Sequence, residues 1–299
     1  MLIALYGNSI RKEHQPDVEC LLAKLSEKNI DIIMFEPLLK FLENMFGRPI
    51  QVKSTFKSPS EVKKMANFML SIGGDGTFLE SATFVEDSGI PVLGINFGRL
   101  GFLANISSKD ISAAIDQLST NNFSVENRTA IQIGMPDNPF QSFPFGLNDF
   151  TIQKKGMPMI TINAYIDNKF LCTYWADGLI ISTPTGSTAY TLSVGGPIVS
   201  PTTNAFVVSP IAPHNLTVRP LVIPDTSTIT LEATTRDKEI LMSLDSRSVN
   251  VSNTISVTIK KANFCIGVVN LQQNDYFKTL RNKLMWGADS RNRLQDETN

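Results

Sequence analysis

The chain is organised around the stretch Ser71-Ile72-Gly73-Gly74-Asp75-Gly76-Thr77-Phe78. An apolar run from Met65 leads into it, and a segment with helical spacing follows. One interpretation is a turn between a strand and a helix, whose glycines permit tight geometry and whose Asp75 caps the helix. The other is a phosphate cradle, in which backbone N–H groups receive an anion and Asp75 faces a reacting hydroxyl. The motif alone favours the plain turn, because short motifs often mislead.

Composition limits the classes of protein to which this chain can belong. The 299 residues, with 42% hydrophobic and 18% charged content, are typical of a soluble globular protein with two domains. A net charge of −1 provides no overall basic field for nucleic acid or a membrane surface. The apolar start, Met1 to Gly7, is short and predicts a first strand, not a signal peptide.

Cysteine usage bears on the compartment. Cys20, Cys172 and Cys265 stand far apart, with no C-x-x-C spacing. This pattern argues against a zinc knuckle or a disulfide framework. We therefore expect buried apolar cysteines in a reducing, cytoplasmic environment, and neither a nucleic-acid nor a membrane partner.

Residues 1–121 alternate between strand-like and helix-like runs. The strand-like runs are Leu2–Tyr6, Ile30–Phe35, Met65–Ile72 and Pro91–Asn96, and the helix-like runs are Asp17–Lys28, Pro37–Phe46, Thr77–Val85 and Ser107–Leu118. Short apolar strands alternating with helices predict an α/β domain with a parallel sheet, whose ligands bind beyond the carboxyl ends of the strands. Asp75 stands at such an end.

The pattern changes at about residue 122. β-branched runs separated by turn residues predict an all-β domain over 122–275, arranged as an antiparallel, sandwich-like structure. Helical spacing returns over Tyr276–Trp286. Residues 276–299 are therefore predicted to form a C-terminal helix and tail.

Three further segments carry possible chemistry, each with a plainer alternative. Asn96–Leu103 combines glycines with two aromatic residues after a strand, which suits a domain crossover as well as a ligand contact. Asn148-Asp149 alone is most simply a turn. Asp177–Tyr190 is more specific: a buried strand runs into six consecutive small, hydroxylated, proline or glycine positions, which offer donors and acceptors to sugar hydroxyls, phosphates or amides.

Common motifs of other enzyme classes are missing from the sequence. There is no G-x-x-x-x-G-K-[ST] phosphate loop and no G-x-G-x-x-G dinucleotide fingerprint at the first strand. Gly186-Ser187-Thr188-Ala189 lacks the second glycine of a nucleophile elbow.

Taken in order, these segments resemble the NAD kinase family. The matching pieces are Gly73–Thr77, Gly98–Leu103, Asn148-Asp149, Asp177–Tyr190 with Ser193–Pro197, Pro213-His214 with Arg219-Pro220, and Ser243–Ser246. Each is weak alone, whereas the ordered set, from about residue 70 to 250, is specific. The family pair is usually Asn-Glu, so Asn148-Asp149 is one methylene shorter.

The resemblance implies a reaction and a set of site residues. The reaction is transfer of the terminal phosphoryl group of ATP to the 2′-hydroxyl of the adenosine ribose of NAD, with a divalent cation, Mg²⁺, bridging the ATP oxygens. The glycines would admit the phosphates, Asp75 would be the general base, and Asn148 and Asp149 would bind ribose hydroxyls. The residues that the resemblance places on the nucleotides are Gly73, Gly74, Asp75, Gly76, Thr77, Phe78, Asn148, Asp149, Asp177, Thr188, Ala189, Tyr190, Thr191, Leu192, Ser193, Ala212 and Arg247.

The resemblance also implies that residues 276–299 pack on the first domain, and that homodimers or homotetramers hold NAD between domains and subunits. It assigns no residue to the metal. Two alternatives remain at this stage. One is a kinase with a similar turn that acts on another hydroxyl, of a lipid or a sugar phosphate. The other is a dinucleotide-binding sensor without catalysis, against which the carboxylate of Asp75 argues.

Replacement of the carboxylate tests its role. We expect Asp75→Asn to fold normally and to lose about 10²–10⁴-fold in turnover, because the amide cannot accept the hydroxyl proton. Steady-state NADP formation measures the effect. Full turnover in the variant would remove Asp75 from the mechanism.

Overall fold

The computed structural model describes residues 1–8, 10–272 and 275–287, in two compact units. The first unit comprises Met1–Glu126 and the chain from Val268 onward, and the second comprises Asn127–Gly267. The sequence places the boundaries at 121/122 and 275/276 instead. The difference arises because the strand Arg247–Leu271 continues into the first unit, where Val268 pairs with Val92. The predicted tail from residue 288 lies outside the described residues.

The first unit alternates strands and helices, as predicted. Its elements before the second unit are β1 (Leu2–Gly7), α1 (Gln15–Glu27), β2 (Asp31–Phe35), α2 (Glu36–Phe46), β3 (Ser54–Phe56), α3 (Pro59–Lys63), β4 (Phe68–Ile72), α4 (Asp75–Val85), β5 (Val92–Asn96), β6 (Ile106–Ser107) and α5 (Ile111–Ser119). The strands pair in parallel in the order β3-β2-β1-β4-β5, and β6 also pairs with β5. The predicted α/β class is confirmed.

Local chemistry explains these boundaries. α1 has Pro16 in its first turn and buries Val18, Leu21 and Leu25, whose spacing of three and four residues places them on one face. Asn29 follows with φ 53°, a left-handed conformation that asparagine tolerates at a helix end. β4 starts at Phe68, later than the predicted Met65, because the chain still turns there and Ala66 N donates to Val62 O.

The central position of β4 determines where the glycine-rich turn lies. All five residues of β4 are buried, between β1 and β5. The core of this unit consists of such strands and of the apolar faces of the helices, including Leu70, Leu93 and Leu21. Parallel strands carry their carboxyl ends to one edge of the sheet, so the turn after Ile72 opens at that edge.

The second unit is built from antiparallel strands. Its elements are β7 (Phe123–Gly134, which starts in the first unit), β8 (Phe145–Gly146), β9 (Asp149–Lys154), β10 (Ile160–Ile166), β11 (Lys169–Ala176), β12 (Gly178–Ser182), α6 (Tyr190–Ser193), β13 (Ala205–Ile211), β14 (Leu221–Pro224), β15 (Ile229–Leu244) and β16 (Arg247–Leu271, which ends in the first unit). The run β14-β13-β12-β9-β15-β16 is antiparallel throughout. The predicted all-β class is confirmed.

One long strand joins two sets of partners in this unit. The first half of β15 pairs with β10, and its second half pairs with β9. The register against β16 shifts between Thr234 and Glu239, and such an irregularity bends a strand. The sequence predicted only Ser227–Ala233 here, because the charged residues of the bend interrupt the apolar alternation.

The chain ends, within the described residues, with α7 (Tyr276–Leu284), somewhat shorter than the predicted 276–286. Asp275 caps it, its side chain accepting from Phe277 N at 3.2 Å. No helix among the described residues is long and apolar enough to cross a membrane.

Candidate active site

The turn after β4 has the geometry of a strand-to-helix junction with exposed backbone. Gly73 donates its N–H to Ile95 O at 2.9 Å and has φ 150°, which favours glycine; a methyl group there would also overlap the side chain of Thr77. Gly74 stands at the N-cap of α4, and Phe78 N donates to its carbonyl oxygen at 3.1 Å. Gly74 and Gly76 are exposed, so a phosphate can approach the first turn of α4.

The plain-turn interpretation expected Asp75 to cap α4, but its side chain does not cap that helix. Its carboxylate reaches across to the segment after β5, where Oδ2 accepts from Phe102 N and Oδ1 accepts from Leu103 N and Ala104 N, all at 2.9 Å. Three consecutive backbone N–H groups therefore hold one carboxylate. The two motifs that the sequence identified separately are joined by these bonds.

The two oxygens of Asp75 differ in their remaining capacity. A carboxylate offers about four acceptor sites. Oδ1 uses two, whereas Oδ2 uses one and lies 3.6 Å from Nζ of Lys283, on the last turn of α7. The side chain of Asp75 is 29% exposed. Among the described residues, Oδ2 is thus the oxygen that can accept a further proton.

Gly101 is constrained by the same carboxylate. A methyl group at this position would overlap Oδ1 of Asp75, and Gly101 N donates to Ala104 O at 2.9 Å in a tight loop. The loop before it is fixed by Asn96, whose Oδ1 accepts from Gly98 N and whose Nδ2 donates to Arg99 O, both at 2.8 Å. The segment Gly98–Phe102 is therefore part of the loop that binds the carboxylate of Asp75.

Glu80, on the second turn of α4, is a residue that the sequence did not single out. It accepts from Tyr6 Oη at 3.1 Å and from Nδ2 of Asn8, which follows β1. Burial and the nearby Glu80 raise the pKa of Tyr6 above its usual value. These contacts tie the carboxyl end of β1 to α4, the helix that follows the glycine-rich turn. No spacing rule links residues 74 positions apart, so no sequence signal identified them.

In the second unit, Asp245 holds the Asn148-Asp149 pair by the same kind of contact. Its carboxylate accepts from Leu147 N at 2.8 Å, Asn148 N at 2.7 Å and Asp149 N at 3.3 Å. Asp245 N donates in return to Asp149 O at 3.0 Å, and Asp245 has φ 53° at the hairpin turn between β15 and β16. The predicted Asx turn is instead the start of a strand, β9, that is anchored to this hairpin.

Asp149 is a buried acid whose pKa departs strongly from its usual value. It is 6% exposed, and burial together with the charge of Asp245 raises its pKa to about 7. Thr151 Oγ1 donates to its Oδ1 at 3.3 Å and opposes the shift. Near neutral pH the carboxyl group can therefore both donate and accept hydrogen bonds.

The hydroxyl-rich block packs against the same pair. Thr183 N donates to Asn148 O at 2.9 Å, and Thr183 Oγ1 donates to Leu147 O at 2.6 Å. Gly186 is needed because a methyl group would overlap the backbone of Asn148. Ser187 is fully buried and bonds the backbone of Pro184 and Val199. Several of these hydroxyls thus satisfy the turn itself.

The exposed part of the block lies further along. Tyr190 and Ser193 are exposed, Thr188, Ala189 and Leu192 are partly exposed, and Thr191 is fully buried. Ligand contacts by side chains from this block are therefore open to the first five of these residues. Thr191 supports the turn from inside, where its methyl and carbonyl groups face Gly196.

Asp177 and Ala212 lie at the other end of β12. Asp177 N donates to Ile211 O at 2.9 Å, and its Oδ1 pairs with Lys154 Nζ at 2.6 Å. β12 rises about 3.3 Å per residue, so Asp177 lies roughly 20 Å along the strand from Thr183. Ala212 has φ 42°, a strained conformation for alanine that is often found at functional positions. The structure separates these two residues from Asn148 and Asp149.

The guanidinium of Arg247 makes its hydrogen bonds within the protein. It donates to Phe143 O at 2.6 Å and to Phe145 O, and it lies 5.2 Å from the centre of the Phe143 ring. Together with Asp245, Arg247 anchors the segment that leads to Asn148.

Comparisons with known proteins identify the family. The ATP-NAD kinase N-terminal domain matches residues 3–123, and the ATP-NAD kinase C-terminal domain matches residues 147–271. An NAD kinase of Cytophaga hutchinsonii is 43% identical over 98% of this chain and 100% of its own length. The chain belongs to the NAD kinase family. An NAD kinase of Bacteroides fragilis is 40% identical over 97% of this chain and 100% of its own length.

Solved structures of the NAD kinase fold agree with the architecture. Yeast NADH kinase, solved with NADH, covers 97% of this chain with a TM-score of 0.85 at 22% identity and is itself covered to 89%. An NAD kinase of Archaeoglobus fulgidus, solved with ATP, covers 95% with a TM-score of 0.74 at 24% identity and is covered to 99%. The resemblance inferred from the motifs is confirmed, and every candidate site residue falls within the two matched segments.

The divalent cation of an NAD kinase has no dedicated protein cage in the described part of the chain. No three His, Cys, Asp or Glu side chains converge there. Mg²⁺ binds readily through substrate phosphates and water with one or two carboxylates, so this donor set fits a cation that enters with ATP.

The contact between Gly101 and Asp75 predicts a severe effect of one methyl group. Gly101→Ala should destabilise the protein by about 1–3 kcal/mol and lower the turnover about 10²-fold, because Asp75 must move by about 1 Å. Thermal unfolding and NADP formation measure both effects. Gly134→Ala, where nearest atoms lie 4.0 Å away, is the matched control. Equal behaviour of the two variants would contradict the proposed fit.

The raised pKa of Asp149 predicts a pH-dependent stability. The folded protein binds this proton more tightly than the unfolded chain, so the stabilisation present at low pH is lost as the pH rises through about 7. The substitution Asp149→Asn should remove this loss of stability at higher pH, because an amide does not titrate. Relative to wild type, the variant should gain on the order of 2 kcal/mol between pH 5 and pH 8.

Urea unfolding at the two pH values measures this gain. Asp137→Asn, at an exposed position, controls for the amide substitution. If the difference in unfolding free energy between wild type and Asp149→Asn does not vary with pH, the pKa of Asp149 is not raised in the folded protein.

Proposed function

We propose that this protein is an ATP-dependent NAD kinase, which transfers the γ-phosphoryl group of ATP to the 2′-hydroxyl of the adenosine ribose of NAD and forms NADP. The carboxylate of Asp75 carries the proposal. It lies beside a turn whose exposed glycines suit phosphate groups, and its Oδ2 keeps one free acceptor site. Membership of the NAD kinase family supports the identity of both substrates.

The reaction needs positioning and charge neutralisation more than covalent catalysis. The ribose 2′-oxygen forms the new bond to the γ-phosphorus while the bond from that phosphorus to the bridging oxygen breaks, and ADP leaves with the electron pair. The hydroxyl proton passes to Oδ2 of Asp75, an effect worth about 10²–10⁴-fold. Because three backbone N–H groups fix this carboxylate, it needs no reorganisation when the substrate arrives.

Mg²⁺ would enter with ATP and supply charge neutralisation at the phosphates. The exposed N–H groups at Gly74 and Gly76, at the start of α4, would face the same phosphates. With the phosphate charge neutralised by the cation and by backbone N–H groups, the turn needs no phosphate-loop lysine.

In the second unit, Asn148 and Asp149 would bind ribose hydroxyls. With a pKa of about 7, Asp149 can donate to one hydroxyl oxygen and accept from another. The side chain of Asp149, shorter than the family's usual Glu, accepts from Thr151 Oγ1, and the backbone N–H of Asp149 donates to Asp245. Tyr190, Ser193 and their partly exposed neighbours would contact the bases, with Asp177 and Ala212 at a more distant position.

We also place the protein in the cytoplasm as a homodimer or homotetramer. The three cysteines are all free, which suits a reducing compartment. They are not buried as the sequence predicted, since Cys20 is exposed and Cys172 and Cys265 are partly exposed. Size-exclusion chromatography with light scattering distinguishes the two assemblies.

One assay tests the proposal. Incubation with ATP, Mg²⁺ and NAD should form NADP, detected with an NADP-specific dehydrogenase, at a rate far above that of Asp75→Asn. The amide of the variant leaves at least one of the three N–H groups without an acceptor, so its melting temperature must be measured as well. NADP formation no faster than in the variant, under conditions where both are folded, would overturn the assignment.

Parallel reactions separate the alternatives. Phosphorylation of a sugar phosphate or a lipid in place of NAD would indicate a kinase of another class. Tight NAD binding without any phosphoryl transfer would indicate a dinucleotide sensor. NADH as acceptor and polyphosphate as donor, tested alongside, measure the substrate preference.

A further inference from the structure

Lys283 carries a charge that lies beside the free acceptor site of Asp75. Its Nζ lies 3.6 Å from Oδ2, the oxygen with one unused acceptor site, and 4.8 Å from the centre of the Phe102 ring. Asp75 is the one carboxylate within ion-pair distance of Lys283 among the described residues. The ammonium therefore contacts both the carboxylate and the loop that holds it.

The position of Lys283 in the fold restricts its freedom. It belongs to the last turn of α7, a helix whose Leu280 is buried, and its own side chain is only 28% exposed. It also borders a cavity of about 320 Å³, lined among others by Arg99, Gly101 and Asn282. A lysine held by a helix, an aromatic face and a carboxylate has few rotamers left, so it can fix its partner.

The backbone contacts of Asp75 hold its two carboxylate oxygens unequally. Leu103 N and Ala104 N hold Oδ1 firmly, whereas a single N–H, from Phe102, holds Oδ2. The more weakly held oxygen is the one that must meet the substrate hydroxyl. A cation beside Oδ2 restricts rotation of the carboxylate and keeps that oxygen correctly oriented.

We propose that Lys283 is a positioning residue for the phosphoryl transfer, acting through Oδ2 of Asp75. The proposal rests on the proposed function. Lys283 makes no bond to the reacting atoms: the 2′-oxygen still attacks the γ-phosphorus, and the proton still passes to Asp75. Its effect should appear in kcat and not in the KM for either nucleotide.

Single variants give the first test. Lys283→Met keeps the apolar stem against Phe102 and removes the charge; we expect kcat to fall about 10- to 100-fold, with both KM values changed less than about threefold. Lys283→Arg should recover most of the loss. Arg281→Met, an equal change at an exposed position on the same helix, should behave as wild type. Lys283→Gln serves as a second charge-removing variant if the methionine lowers the melting temperature.

A double-mutant cycle gives the decisive test. In the Asp75→Asn background, Lys283→Met should change kcat less than about twofold, because the carboxylate through which Lys283 acts is absent. The same fold-loss in both backgrounds, or a rise in the KM for ATP, would overturn the proposal and indicate a direct phosphate contact. An unchanged kcat in the single variant would also overturn it.

The wild-type arm separates this outcome from failure of the proposed function. A wild-type protein that forms NADP, with Lys283→Met equally active, removes only the role of Lys283. A folded wild-type protein that forms no NADP removes both.

Discussion

The candidate site depends on the hydrogen bonds between one carboxylate and three consecutive backbone N–H groups. Asp75, at the start of α4, accepts from Phe102, Leu103 and Ala104. Charge-assisted bonds of this kind are about twice as strong as neutral ones. They fix the loop after β5 against the turn after β4, so Oδ2 of Asp75 and the glycine-rich turn are held together.

The second unit uses the same arrangement at the Asn148-Asp149 pair. Asp245 accepts from the N–H groups of residues 147–149, just as Asp75 does from 102–104. The result differs because a second acid, Asp149, is buried beside Asp245 and has its pKa raised to about 7. Asp75 is proposed to react, whereas Asp245 holds the backbone of Asp149, which is proposed to bind ribose hydroxyls.

Much of this could be predicted from the sequence, and the limits have physical causes. The alternation of apolar runs placed Asp75 at the carboxyl end of a buried strand, and the ordered motifs indicated the family. Lys283 could not be found in this way, because a basic residue in the last turn of a helix is common and its partner is 208 positions away. The hydroxyls of Thr183 and Ser187 suggested ligand contacts, yet local backbone groups satisfy them.

The first unit is not contiguous in the chain, and this has a consequence for biosynthesis. Val268, which pairs with Val92, and Lys283, which faces Asp75, leave the ribosome after the whole second unit. At about 5–20 residues per second, Lys283 is made roughly 10–40 s after Asp75. A nascent chain that ends after the second unit therefore has a phosphate turn without its last contacts. The contacts of Val268 and Lys283 therefore form only after the second unit has been synthesised.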